Sequence, residues 1–275
     1  AGIENCWRYA FLFGAIIALP IIFLRDLMPE SIRWLVVNGK RERAEKIGKE
    51  KLNIDKIPEQ KKYSIGDLFR NYLKYTLFVL IVWFGFDVGS YGLGFYTPTL
   101  YSLYGIKNLY EIALFTAITA PFPIISYIIL MYLVDRWGRK WPTIFGFTVM
   151  ASIFIILPFL IKINPYYLLP MFIIFASMEQ WPGGILSFAY SVELFPTSIR
   201  GVAQGLATTV SRIGAIIGVL LFPVIQKSLG LLYGSLFFLS FILLSLLLTL
   251  FLAPETSSLS LEDVSEKLSS EKHIH

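Results

Sequence analysis

Three ionisable residues, Asp87, Glu179 and Arg212, each interrupt a long apolar run. A charge at the centre of a bilayer costs about 2.5–3.5 kcal/mol on insertion scales. Such residues need a partner or a wet cavity, and each is a functional-site hypothesis by default. Arginine cannot shed its charge, so Arg212 needs an anion: a solute, Asp87 or Glu179. The two carboxylates can give up their charge by taking a proton, because desolvation disfavours the ionised form. A carboxylate that is protonated on one side of a membrane and released on the other is the simplest proton-coupling device, and Asp87 and Glu179 are candidates for it. Trp83 stands four residues before Asp87 and Tyr91 four after it, so the three share one helical face. Gly85, Gly89, Gly92 and Gly94 leave this stretch thin, and we expect a soft hinge there. Gln180 and Trp181, beside Pro182-Gly183-Gly184, form a second contact set, since irregular backbone at membrane depth is tolerated where it lines a cavity. The expected solute contacts are Trp83, Asp87, Tyr91, Gln180 and Arg212. A spanning helix built this way is better explained by solute passage than by anchoring.

The elements that must position these groups are transmembrane helices. Of 275 residues, 56% are hydrophobic and 16% charged, with mean hydropathy +0.65; a soluble domain carries about 25% charged residues. Apolar runs of spanning length fall at 7–24, 75–103, 112–134, 141–161, 166–192, 202–226 and 231–252. Between the first two lies a polar segment, residues 25–74, with 13 Lys/Arg and 8 Asp/Glu. Pro29-Glu30-Ser31 offers a helix start, Gly39 divides the segment into two short helices, and Glu42–Lys46 and Glu45–Lys49 are i,i+4 pairs. Counting alternate loops places 19 basic residues on one side and four on the other. The positive-inside rule then puts the long loop and the C-terminus in the cytoplasm and Ala1 outside. The net charge of +5 is a topology signal; basic residues scattered over membrane loops do not make a nucleic-acid surface. Cys6 is the only cysteine, so no internal disulfide is possible. His273 and His275 sit in what reads as a frayed tail rather than a metal site. The chain opens Ala1-Gly2-Ile3 without a methionine, and seven spans with an external start read as a piece of something longer.

Several motifs carry a family resemblance. Pro29-Glu30-Ser31-Ile32-Arg33-Trp34-Leu35, followed by Gly39-Lys40, resembles the element after the sixth span of sugar porters in the major facilitator superfamily, with Ile32 where that pattern has proline. Asp135-Arg136-Trp137-Gly138-Arg139-Lys140 is similar to the superfamily's D-R-x-G-R-K loop. Glu193-Leu194-Phe195-Pro196, ending in Arg200-Gly201, resembles the stretch after the tenth span, and Pro254-Glu255-Thr256 the end of the last. Trp83, Asp87 and Tyr91-Gly92, with Arg212-Ile213-Gly214-Ala215, are similar to phosphate:proton symporters of the same superfamily. The tenth-span asparagine of those proteins is replaced here by a neighbourhood of Glu179, Gln180, Gly183 and Gly184.

The resemblance implies an all-α, polytopic bundle. Residues 1–24 would be the sixth span, 25–74 the central cytoplasmic loop, 75–252 the C-terminal six-helix bundle and 253–275 a cytoplasmic tail. It implies a plasma-membrane secondary transporter, a proton symporter of phosphate or another small organic anion, with a sugar carrier as the alternative. Its partners would be a small solute, protons, the lipid bilayer and either the missing first five spans or a second chain. No cofactor and no enzyme chemistry are implied. Asp135, Arg136, Arg139, Glu193 and Arg200 would form a cytoplasmic gate, pairing when that face closes and parting when it opens. A seven-helix receptor or retinal protein is the competing class, but residues 231–252 lack the Schiff-base lysine retinal needs. No His/Cys/Asp cluster and no Ser-His pairing within the spans supports a membrane enzyme.

Overall fold

The computed structural model describes residues 6–25, 30–52 and 63–257. Pro29 and the tail with His273 and His275 lie outside them, as does the side chain of Cys6. The chain divides into two units, residues 1–62 and 63–275. In the first, α1 (Cys6–Arg25) is apolar between Arg8 and Arg25, with Phe11 and Phe23 about three-quarters exposed. Two short helices follow, α2 (Ile32–Val37) and α3 (Arg41–Leu52). Gly39, at φ 75°, turns the chain between them, a conformation L side chains rarely adopt. Glu45 pairs with Arg41 at 3.3 Å rather than with Lys49, and Glu30 with Arg43 at 3.2 Å. Both pairs are exposed and contribute little stability.

The second unit opens with α4 (Asp67–Arg70), whose Asp67 side chain accepts hydrogen bonds from Ser64 N at 2.7 Å and Asn71 Nδ2 at 2.6 Å. The run holding Asp87 then folds as one continuous helix, α5 (Leu73–Gly94). It ends there rather than running on to Leu103: Phe95 and Tyr96 form a turn before α6 (Thr97–Leu103), which has Pro98 in its first turn. The next run is bent at Ala120-Pro121 into α7 (Leu109–Thr119) and α8 (Pro121–Trp137). Proline there has no N–H to continue the helical ladder. α9 (Lys140–Ile163) follows.

The stretch expected as one span at 166–192 keeps helical backbone along its length but is not uniformly wound. It forms α10 (Leu168–Met178) and α11 (Gln180–Ile185), a wide-wound turn at Leu186–Tyr190, and the single turn α12 (Ser191–Glu193). Such π-type turns recur at functional sites. The last two runs form α13 (Thr197–Leu252), which Gly230 divides into two arms by taking φ 83° and ψ 173°. Among the described residues five helices are long and apolar enough to cross a membrane, the α7–α8 pair counted as one.

The arms of α13 flank α5, the most buried of these helices. A Cβ at Gly85 would come within 2.5 Å of Ser245 Oγ, at Gly89 within 2.6 Å of Ile242 Cδ1, and at Gly92 within 2.5 Å of Phe238 Cε1, all on the second arm. From the first arm, a Cβ at Gly214 would lie 2.5 Å from the Phe84 carbonyl oxygen. Gly85, Gly89 and Gly92 are therefore contact surfaces for close helix approach, and α5 runs through them as one continuous helix. Gly201 and Gly205 meet nothing within 4 Å, so that pair makes no such contact here. Phe154 stacked on Phe238 at 6.4 Å and Phe222 tilted against Phe238 at 5.8 Å complete the seam beside α9.

Candidate functional site

A concave cavity of about 510 Å³ opens beside the polar face of α5. Trp83, Asp87, Ser90 and Tyr91 line it from α5 and Tyr127 from α8; Glu179, Gln180, Gly183 and Gly184 come from the α10–α11 stretch, Ser187 and Phe188 from the wide turn after it, and Arg212 from the first arm of α13. All five expected solute contacts and both coupling candidates thus share one cavity. Glu179 and Gln180 reach its wall from the junction of α10 and α11, where the backbone stays helical, and α5 and α13 approach closely at Gly214, two residues from Arg212.

Asp87 is 2% exposed, and its Oδ2 lies 3.6 Å from Nη1 of Arg212, which is half exposed. That Oδ2 accepts no hydrogen bond. Arg212 Nη1 donates instead to the Tyr91 hydroxyl at 2.5 Å, and its guanidinium lies 5.5 Å from the centre of the Tyr91 ring. The cation is thus held by one face of α5 while part of it stays open to the cavity. Glu179 is bound differently. Its Oε2 accepts from Ser90 Oγ at 2.5 Å, with Gln180 Nε2 3.4 Å from Oε1, and no ion pair reaches it among the described residues. Ser90 went unrecognised in the sequence because a serine in an apolar helix carries no signal until its neighbour is known. Trp181 does not line the cavity. It is buried, its Nε1 donates to Ser126 Oγ at 2.9 Å, and its ring lies 5.3 Å from that of Phe145. The Gln180–Trp181 pair is accordingly divided between the cavity and the packing.

A second polar cluster lies at one end of the bundle, where α8 meets α9. Arg139 Nη2 donates to Glu193 Oε1 at 3.0 Å, and its Nε sits 3.3 Å from both oxygens of that carboxylate. Thr256 Oγ1 also donates to Glu193. Glu255 Oε1 accepts from the backbone N–H groups of Arg139 (2.9 Å), Thr256 and Ser257 (both 3.0 Å), and Oε2 from that of Lys140 at 3.2 Å. Burial works against ionising Glu255, yet these donors prevail and hold its carboxyl below the ordinary glutamate range. A Cβ at Gly138 would strike the same carboxylate.

Of the expected gate, Arg139 and Glu193 form the central pair. Asp135, 80% exposed, lies 3.7 Å from Arg139. Arg136 points outward and makes no ion pair among the described residues. Arg200 donates to the Phe195 carbonyl at 3.1 Å. The sequence supplied Glu255 and Thr256 only as a motif at the chain's end; their place in this cluster is a tertiary fact.

A helical, multi-span membrane protein with charged groups around a central cavity is the class this fold and site define. The family model for sugar (and other) transporters matches residues 2–268, and the chain belongs to that family. It is 28% identical over 285 residues to human solute carrier family 22 member 13, covering 97% of this chain and 49% of the relative. It is also 28% identical over 252 residues to a repressible high-affinity phosphate permease of Neurospora crassa, covering 78% and 44%. Among solved structures, the major facilitator superfamily proton:xylose symporter XylE superposes with a TM-score of 0.74 at 20% identity, over 95% of this chain and 59% of that one. The chain spans about half the length of the curated relatives named here. It has the fold of a major facilitator transporter.

Proposed function

We propose that this chain forms the C-terminal half of a secondary active carrier of the plasma membrane, a proton symporter for a small polar solute with an anionic group, phosphate or another small organic anion. The observation that carries this reading is the state of Arg212 and Asp87. The guanidinium is half exposed to a cavity of about 510 Å³, and its buried counter-ion keeps one oxygen without a hydrogen bond. A tight structural pair would bury both groups and satisfy both. Here a solute anion can take Arg212, and Asp87, released from it, takes the proton that travels with the solute. Glu179 is the second carboxyl available for coupling.

In this reading the open side of the cavity faces the half supplied by the preceding five spans or by a second copy, since sites in this fold lie between two repeats. The basic loops and the Arg139 cluster face the cytoplasm, and that cluster is a latch whose pairs part when the inner side opens. A sugar carrier is the second reading, favoured by the neutral and aromatic part of the lining, Trp83, Ser90, Tyr91 and Gln180, which suits hydroxyl groups.

The test is uptake into vesicles by the carrier comprising this chain and the spans that precede it. Labelled phosphate should enter faster when the outside is acid, and Asp87→Asn should abolish the acid-stimulated part. Unchanged uptake in that variant removes Asp87 from the coupling role. Competition by xylose but not by phosphate establishes the sugar reading.

A further inference from the structure

In a wide turn an N–H reaches five residues back instead of four, and the change of winding leaves one carbonyl over. The N–H of Ser191 reaches the Leu186 carbonyl, and that of Leu194 the Tyr190 carbonyl. Between these bonds lie three carbonyls, those of Ser187, Phe188 and Ala189, and only two further N–H groups, those of Val192 and Glu193. The surplus carbonyl needs a side-chain donor, because an unpaired backbone group away from water is costly. The Ser187 carbonyl has two. Ser191 Oγ donates to it at 2.8 Å and Gln204 Nε2 at 3.1 Å.

Ser191 belongs to the same stretch and reaches back over one turn, a common habit of serine in helices. Gln204 comes from the first arm of α13, so its bond ties the turn to another helix. Its Oε1 is buried and accepts nothing among the described residues. Turning the amide over would set that oxygen against the Ser187 oxygen, so the donor has to face it. Resting on the carrier reading, we infer that Gln204 is a positioning residue: by holding the surplus carbonyl it keeps the turn wide and sets Ser187 and Phe188 in the cavity wall. Gln204 itself does not line the cavity. Arg212 stands eight residues further along the same arm, about 12 Å by helical rise. One helix thus carries the cation and fixes this part of the wall. Without donors the stretch pairs the carbonyl by rewinding as ordinary helix, which turns one side of it relative to the other by about 100°. Ser187 and Phe188 are then carried out of the wall.

The experiment uses the carrier comprising this chain and the spans before it, with Ser187→Cys as the only thiol for labelling and Ser187 restored for uptake. Gln204→Leu and Ser191→Ala each leave one donor. Each should change labelling by a water-soluble thiol reagent, and KM for labelled phosphate or xylose, by less than about threefold. Together they leave none. Labelling should then slow, and KM rise, about tenfold or more, beyond the product of the single effects, with Vmax per folded molecule within about threefold. Labelling or KM that follows that product overturns the proposal and leaves the carrier reading standing. If the double variant does not fold, hydrogen exchange in Gln204→Leu decides: amides 190–194 should exchange about threefold or more faster with the rest of the bundle unchanged, and unaltered exchange overturns the proposal. Uptake of neither solute by the unsubstituted carrier defeats the carrier reading, and labelling and exchange then judge Gln204 by themselves.

Discussion

The two charged regions of this molecule are built to opposite specifications. At the end of the bundle, Glu193 accepts from Arg139 and Thr256, and Glu255 accepts four backbone N–H groups. In the cavity, Asp87 keeps a buried oxygen without a hydrogen bond, Glu179 has a hydroxyl and a long amide contact, and Arg212 is half exposed. A well-satisfied cluster fixes one geometry. An under-satisfied one keeps capacity for something that arrives. The contrast separates residues that hold the bundle from the proposed solute contacts better than their charges alone could.

Three substitutions test that contrast. The largest effect is expected from Arg212→Gln, which should lower solute uptake by about 100-fold, corresponding to about 2.8 kcal/mol, with little change in melting temperature. A fall in melting temperature with uptake per folded molecule unchanged would place Arg212 with the structural cluster. Arg139→Gln should do the reverse. It leaves Glu193 with Thr256 and should cost about 1–3 kcal/mol of stability, read as a lower melting temperature, while solute affinity stays within about threefold. The smallest effect is that of Glu255→Gln, and it depends on pH. Because the folded-state carboxyl ionises below the ordinary glutamate value of 4.5, its stabilisation is complete above that value and is lost as pH falls through the lowered one. Wild type should therefore melt above the variant at neutral pH and converge with it in acid. Parallel melting curves at every pH would remove Glu255 from the cluster's electrostatics.

Much of this was legible in the chain. Lone charges in apolar runs stand out, and the four-residue spacing of Trp83, Asp87 and Tyr91 needs only helical periodicity to put them on one face. The all-helical class follows from run length and hydropathy. What was hidden is tertiary. The glycines of α5 suggested a hinge, and only the positions of Phe238, Ile242 and Ser245 show that Gly85, Gly89 and Gly92 are also contact surfaces. Pro182-Gly183-Gly184 suggested irregular backbone, but those residues lie inside α11, and the wide winding comes a few residues later, at Leu186–Tyr190. Arg136 and Arg139 are equivalent in the motif, and only the packing of α8 against α9 gives Glu193 to the second.

The seating of α5 between the two arms of α13 has a consequence for biogenesis. Tyr91 and Arg212 are separated by 121 positions, so at about 5–20 residues per second the ribosome needs roughly 6–24 s to deliver the arginine after α5 has emerged. Throughout that interval Asp87 has no guanidinium beside it, and the insertion machinery must accommodate an acidic helix whose counter-ion has not yet been made. Lengthening the delay with slow codons between the two segments should therefore reduce the yield of inserted protein while leaving the properties of the finished molecules intact.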